Sequence, residues 1–148
     1  MIKYVHTNIV SSDWRNLAEF YINVFDCRIK PPERKLSGKW LEKSTGVKNA
    51  SLEGCHLLLP GYGENGPTIE IFQYKENKAK ALPPQGNREG YGHIAFSVDS
   101  VKECLDKILE YGGQKLGEIV EKEFSHGILT FTYAADPEGN IVEIQTWS

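Results

Sequence analysis

His and Glu recur in this chain in one order, twice. His6 lies in Tyr4-Val5-His6-Thr7-Asn8-Ile9, and Glu70 in Thr68-Ile69-Glu70-Ile71-Phe72-Gln73-Tyr74. His93 lies in Gly92-His93-Ile94-Ala95-Phe96-Ser97-Val98, and Glu143 in Ile141-Val142-Glu143-Ile144-Gln145-Thr146-Trp147. Two imidazoles and two carboxylates suit Ni, Zn, Co, Mn or Fe(II), one divalent ion per site. On an octahedral ion such a set leaves two positions for water or a bidentate substrate. A closed tetrahedral structural zinc normally prefers thiolates. The alternative is purely structural: buried carboxylates and imidazoles are costly alone and can satisfy each other as hydrogen-bonded ion pairs.

The elements around these residues decide whether they can meet. Side chains alternate faces along a strand. Ile94, Phe96 and Val98 share one face, and His93, Ala95 and Ser97 the other. Glu70 sits between Ile69 and Ile71, and Glu143 between Val142 and Ile144. His6, with Tyr4 and Asn8, opposes Val5 and Ile9. All four residues are therefore expected to point away from the helix-packed face of their sheets. Helical spacing appears in Trp14, Leu17, Tyr21 and Val24, with Ser12 or Asp13 as N-cap. A second helix is expected from Val101, Leu105, Ile108 and Leu109, capped by Asp99 or Ser100 and stopped at Gly112-Gly113. Extended segments follow each helix: near Ile29, Ala50 to Leu59 and Thr68 to Tyr74, then Gln114 to Val120, Ile128 to Ala134 and Asn140 to Trp147. The order reads β-α-β-β-β twice, as module 1 (about 1–77) and module 2 (about 90–148), joined by a polar linker at 75–89. Pro31 to Asn49 breaks the symmetry. It reads as a long loop, a working lid or a loosely ordered excursion, with Trp40 inside it.

At 148 residues the chain is expected to be one domain, with a core that needs no staples. A net charge of −3 with interspersed signs excludes a basic nucleic-acid face or a polybasic membrane anchor. No apolar run approaches transmembrane length. The three cysteines, Cys27, Cys55 and Cys104, are scattered and unpaired in spacing, which argues for small buried hydrophobes in a reducing cytoplasm.

These residues carry a resemblance. His6-Thr7-Asn8-Ile9, Phe20-Tyr21-Ile22-Asn23-Val24-Phe25, Gly90-Tyr91-Gly92-His93-Ile94-Ala95-Phe96 and Asp136-Pro137-Glu138-Gly139-Asn140-Ile141-Val142-Glu143 together resemble the vicinal-oxygen-chelate superfamily. Its members include glyoxalase I, methylmalonyl-CoA epimerase, extradiol dioxygenases and resistance proteins. The resemblance implies an α+β fold of two paired βαβββ modules forming an incomplete barrel with a metal cleft, and a homodimer. It implies His6, Glu70, His93 and Glu143 as metal ligands, with Glu143 or Glu70 as the catalytic base. The implied activity is that of a glyoxalase-like isomerase or lyase on a small-molecule substrate, by proton abstraction next to a carbonyl with a chelated enediolate. Epimerase-like racemisation, Fe(II) extradiol cleavage through His6, His93 and Glu143, and non-catalytic ligand sequestration are the alternatives.

Other residues could serve such a site. The resemblance to extradiol dioxygenases implies Tyr133, ten residues before Glu143, as a Tyr beside the metal ligands and His126 as the acid–base His. Asn8 shares the ligand face of His6, and Tyr74 and Trp40 could line a pocket. Arg15, Arg34, Lys35 and Lys39 could meet an anionic substrate or remain solvated charges. His56, in Cys55-His56-Leu57, reads as structural or edge-exposed.

Overall fold

A computed structural model describes all 148 residues. The chain divides into two compact units, Met1–Ala79 and Lys80–Ser148, and the fold is α+β in each.

The first unit runs β1 (His6–Val10), α1 (Trp14–Phe25), β2 (Arg28–Ser37), α2 (Lys39–Thr45), β3 (Ser51–Leu58) and β4 (Thr68–Tyr74). Its four strands lie in the order β1-β4-β3-β2. The Asp13 carboxylate accepts the Asn16 N–H at 3.1 Å and so starts α1. Asp26, in the left-handed region at φ 54°, ends it. Leu17, Tyr21 and Val24 are buried from the helix side, Cys55, Leu57, Ile69 and Ile71 from the sheet side. α1 packs on β3 and β4, so the opposite face of the sheet is left to His6, Glu70 and their neighbours.

Pro31–Asn49 corrects the loop expected from sequence. Its first part extends β2, pairing antiparallel with β3, and its second is α2. The two prolines have no N–H to give the ladder, and the β2–β3 register shifts between Lys30 and Arg34. α2 closes on the sheet through Leu41, which clusters with Ala50, Leu52, Leu36, Phe72 and Tyr74. Phe72 and Tyr74 share the parity of Glu70, so α2 sits over one end of the ligand-bearing face.

The second unit runs β5 (Ile94–Ser97), α3 (Val101–Glu110), β6 (Gln114–Lys115), β7 (Val120–Phe124), β8 (Gly127–Ala135) and β9 (Ile141–Trp147). The order is β5-β9-β8-β6, with β7 also paired to β8. Ser100 caps α3 by accepting the Glu103 N–H at 3.2 Å. At the other end the Gly112 N–H reaches Leu109 O and the Gly113 N–H reaches Ile108 O, with Gly112 at φ +88°, a Schellman stop. Val101, Cys104, Leu105 and Ile108 form the buried stripe; Leu109, expected there, is exposed. The single strand expected over Gln114–Val120 is interrupted, because the N–H groups of Leu116 and Gly117 both turn to Tyr133 O.

The Asp136–Asn140 turn is built on one carboxylate. Asp136, 1% exposed, accepts the N–H of Glu138 and of Asn140 at 2.9 Å each, and the Asn140 amide at 2.8 Å. That turn sets the register in which β9 returns along β8, and hence the height of Glu143.

Candidate active site

Each unit places a His beside a Glu by the same construction. β1 lies parallel to β4 with Asn8 opposite Glu70, so His6 stands two residues before the partner of its Glu. β5 lies parallel to β9 with Ala95 opposite Glu143, and His93 again stands two residues before. His6 Nε2 lies 3.5 Å from Glu70 Oε1, and His93 Nε2 lies 3.0 Å from Glu143 Oε2. The environments match as well: the imidazoles are 36% and 34% exposed, the carboxylates 12% and 14%. Strand parity therefore turns all four side chains off the helix-packed faces, as the alternation predicts.

The third strand adds a different residue in each unit. His56 lies opposite Glu70 across β3–β4, and Tyr133 lies opposite Glu143 across β8–β9. His56 Nε2 is 2.8 Å from Glu70 Oε2, and its Nδ1 is 3.1 Å from Thr68 Oγ1. Burial pushes the His56 pKa down from its ordinary value; the Glu70 charge opposes this, while Arg34, His6 and Lys30 add to it. A neutral ring beside the Glu70 carboxylate keeps its proton on Nε2, donating to Glu70, and accepts a hydrogen bond from the Thr68 hydroxyl at Nδ1. Asn8 Nδ2 donates to Glu70 Oε1 at 2.9 Å. Glu70 is thus gripped from three sides. Glu143 meets His93 and Tyr133. The Tyr133 ring packs edge-on to His93 with centroids 5.1 Å apart, and burial followed by the Glu143 charge holds its hydroxyl above the usual pKa.

The remaining sequence candidates fall elsewhere. His126 sits in the β7–β8 turn, stacked on Trp147 at 4.7 Å and on Phe124. Trp147 is four residues past Glu143, about 13 Å along an extended strand. Tyr74 belongs to the apolar cluster under α2, and Trp40 is exposed on α2.

His56 belongs to the site against the reading of it as structural or edge-exposed. Its Nε2 or Nδ1, a nitrogen of His6 and an oxygen of Glu70 all lie within 4.8 Å of one another. A signal was present: a hairpin centred on Gly63 reflects His56 onto Glu70, as one centred on Glu138 reflects Tyr133 onto Glu143.

The donor set fits a divalent cation. Neighbouring ligands on an octahedral ion at about 2.1 Å stand about 3 Å apart, close to the separations within both His–Glu pairs. The same spacing serves a hydrogen bond, so geometry accommodates either occupant.

Two βαβββ-type units, each pairing a His with a Glu in the same register, are matched in sequence by the Glyoxalase/Bleomycin resistance protein/Dioxygenase superfamily over residues 3–144. The chain belongs to that superfamily. It is 26% identical over 145 residues to a "Probable lactoylglutathione lyase" of Synechocystis, with 97% of this chain and 95% of that protein covered. In fold it is similar to a glyoxalase family protein from Bacillus cereus, with TM-score 0.85 and 17% identity over 99% of this chain and 95% of the other. A fosfomycin resistance protein from Listeria monocytogenes, solved with Mn(II) and sulfate, matches with TM-score 0.54 and 16% identity over 100% and 93%.

Proposed function

We propose that the protein is a divalent-metal-dependent, glyoxalase-like isomerase or lyase that moves a proton between carbons beside a carbonyl. The observation that carries this reading is the repeated register of His6 with Glu70 and of His93 with Glu143. The likeness to a named lactoylglutathione lyase and to a Mn(II)-bound resistance protein supports it. His6, Glu70, His93 and Glu143 would hold the cation, one of Ni, Zn, Co, Mn or Fe(II). A bound cation supplies Lewis-acid polarisation of the substrate carbonyl, which acidifies the neighbouring C–H.

The protein's own groups divide the remaining work. Glu143 is the general base: it removes the proton from one carbon and returns it to the next. Its anchoring is lighter than that of Glu70, since no Asn stands opposite it where Asn8 stands opposite Glu70. Glu70, fixed by Asn8 and His56, stays in place. The family likeness also favours a homodimer, and the three free, buried cysteines favour a reducing cytoplasm.

The test is anaerobic purification, reconstitution with each cation, and assay on a hemithioacetal. Turnover with Ni or Co is expected. A second reading, an extradiol-type oxygenase, is favoured by Tyr133 beside His93 and Glu143; catechol cleavage confined to Fe(II), without hemithioacetal turnover, would replace the first reading with it.

A further inference from the structure

Four basic residues were open to an anionic ligand by sequence, and the structure separates them. Arg15 pairs with Glu33 through its two terminal guanidinium nitrogens, Nη1 and Nη2, at 3.0 and 3.2 Å. Lys35 pairs with Glu53, and Lys39 with Glu42. Arg34 has no carboxylate partner; its Nη1 donates to the backbone oxygen of Pro32. Lys30, two strands from Glu70, is in the same condition, with Nζ 3.4 Å from the backbone oxygen of Glu64. The Glu64 carboxylate is already taken by Arg28 at 2.7 Å.

Register puts these two unpaired cations on the ligand face. Lys30 lies opposite His56 and Arg34 opposite Gly54, and His56 and Gly54 lie opposite Glu70 and Phe72. Residues paired in this way share a face, so one row across the first sheet reads Asn8, Glu70, His56, Lys30 and the next reads Val10, Phe72, Gly54, Arg34. Lys30 and Arg34 are half-buried where their neighbours on β2 are exposed, which agrees with that placement. Gly54 puts no side chain between Phe72 and Arg34 in the second row; a Cβ there would collide with Ile71 O and meet the Phe72 ring at 2.9 Å. The Phe72 ring, edge-on to His56, supplies an apolar floor that continues to Tyr74 under α2.

We infer that Lys30 and Arg34 are a specificity site for a carboxylate, phosphate or phosphonate carried by the substrate at the far end of an apolar spacer from its reacting carbonyl. Two strand spacings separate Lys30 from Glu70, about 10 Å, so the spacer is several bonds long. A guanidinium fork and an ammonium without counter-charges are suited to such an oxyanion. The inference rests on reading the His/Glu face as the reacting face and names the class of substrate it selects.

Phenylphosphonate, an aromatic ring bearing one such anion, is the probe. Its binding is measured calorimetrically on the wild type, Arg34→Gln, Lys30→Gln and, as control, Lys35→Gln, each before and after loading with Zn(II), with thermal melts to confirm folding. Expected is a loss of at least about tenfold in affinity for Arg34→Gln and Lys30→Gln, the size of a lost charge-assisted hydrogen bond, with Lys35→Gln unchanged and Arg34→Lys partly restored. No binding to the wild type at millimolar probe, or equal affinity in Arg34→Gln and the wild type, overturns the inference. The two claims fail separately: the Arg34 effect without hemithioacetal turnover leaves the anion site and removes the isomerase, while turnover with an unchanged KM and probe affinity in Arg34→Gln does the reverse.

Discussion

His56 holds in the first unit the place that Tyr133 holds in the second: each stands directly across an antiparallel ladder from the Glu of its own His–Glu pair. The duplication therefore holds in the register of three strands of each unit, β1-β4-β3 and β5-β9-β8, and diverges in chemistry. His56 fixes Glu70 through a 2.8 Å contact and is itself fixed by Thr68, whereas Tyr133 offers Glu143 a single hydroxyl. His56→Tyr copies the second unit's residue into the first. It is expected to preserve folding and to weaken Zn(II) affinity about 10- to 100-fold, the usual effect of losing a group that orients a ligand. Competition against a chromophoric chelator measures this; an unchanged affinity would show that His56 does not hold Glu70 for a cation.

The two carboxylates are expected to differ in kind. Glu143→Gln should lower kcat by at least about a hundredfold, as loss of a general base does, while retaining much of the bound cation. Glu70→Gln should chiefly lower metal content, because it breaks a grip shared by Asn8, His6 and His56. Metal analysis beside steady-state kinetics separates these outcomes, and the reverse pattern would exchange the two roles.

Much of this was legible in the residues alone. Alternation along each strand gave the faces of His6, Glu70, His93 and Glu143, because a half-buried strand has only two faces to choose between. Helix limits followed from Asp13, Ser100 and Gly112 for local reasons of capping. The role of His56 was not, since a lone His between Cys55 and Leu57 acquires a partner only when the turn at Gly63 fixes a long-range register. The strand and helix of Pro31–Asn49 are hidden in the sequence for a related reason. Two prolines argue against a strand locally, yet β2 accommodates them in a register shift on an edge, and α2 is stabilised by tertiary contact of Leu41 with Leu52, not by propensity.

Alkaline stability should report the buried thiols. Burial, the leading cause for each, raises Cys27 to about 12 and Cys55 and Cys104 to about 11, from 9.0. The folded state holds these protons more tightly than the unfolded one, so their contribution is full below pH 9 and is lost as pH rises from 9 towards 11–12. Urea midpoints should be flat in this respect below pH 9 and fall above it, less steeply in Cys27→Ala relative to its own neutral-pH value. Thiol-reactive dye at pH 8 should label the native protein slowly and the unfolded protein at once; rapid native labelling would contradict the burial.

Asp136→Ala should destabilise the protein by about 2–4 kcal/mol, because it leaves the turn's N–H groups without their buried acceptor. Asp136→Asn, which keeps an oxygen there, should cost less. Urea unfolding compares them. Equal, small effects would mean the turn does not depend on this carboxylate.

Metal content decides the central claim. After anaerobic purification, inductively coupled plasma mass spectrometry on the wild type, His6→Ala and His93→Ala should find about one divalent ion per chain in the first and under about a tenth of that in both variants, since each removes one of the few protein ligands. Background metal in the wild type after reconstitution with every cation tested, or undiminished metal in both variants, would contradict it.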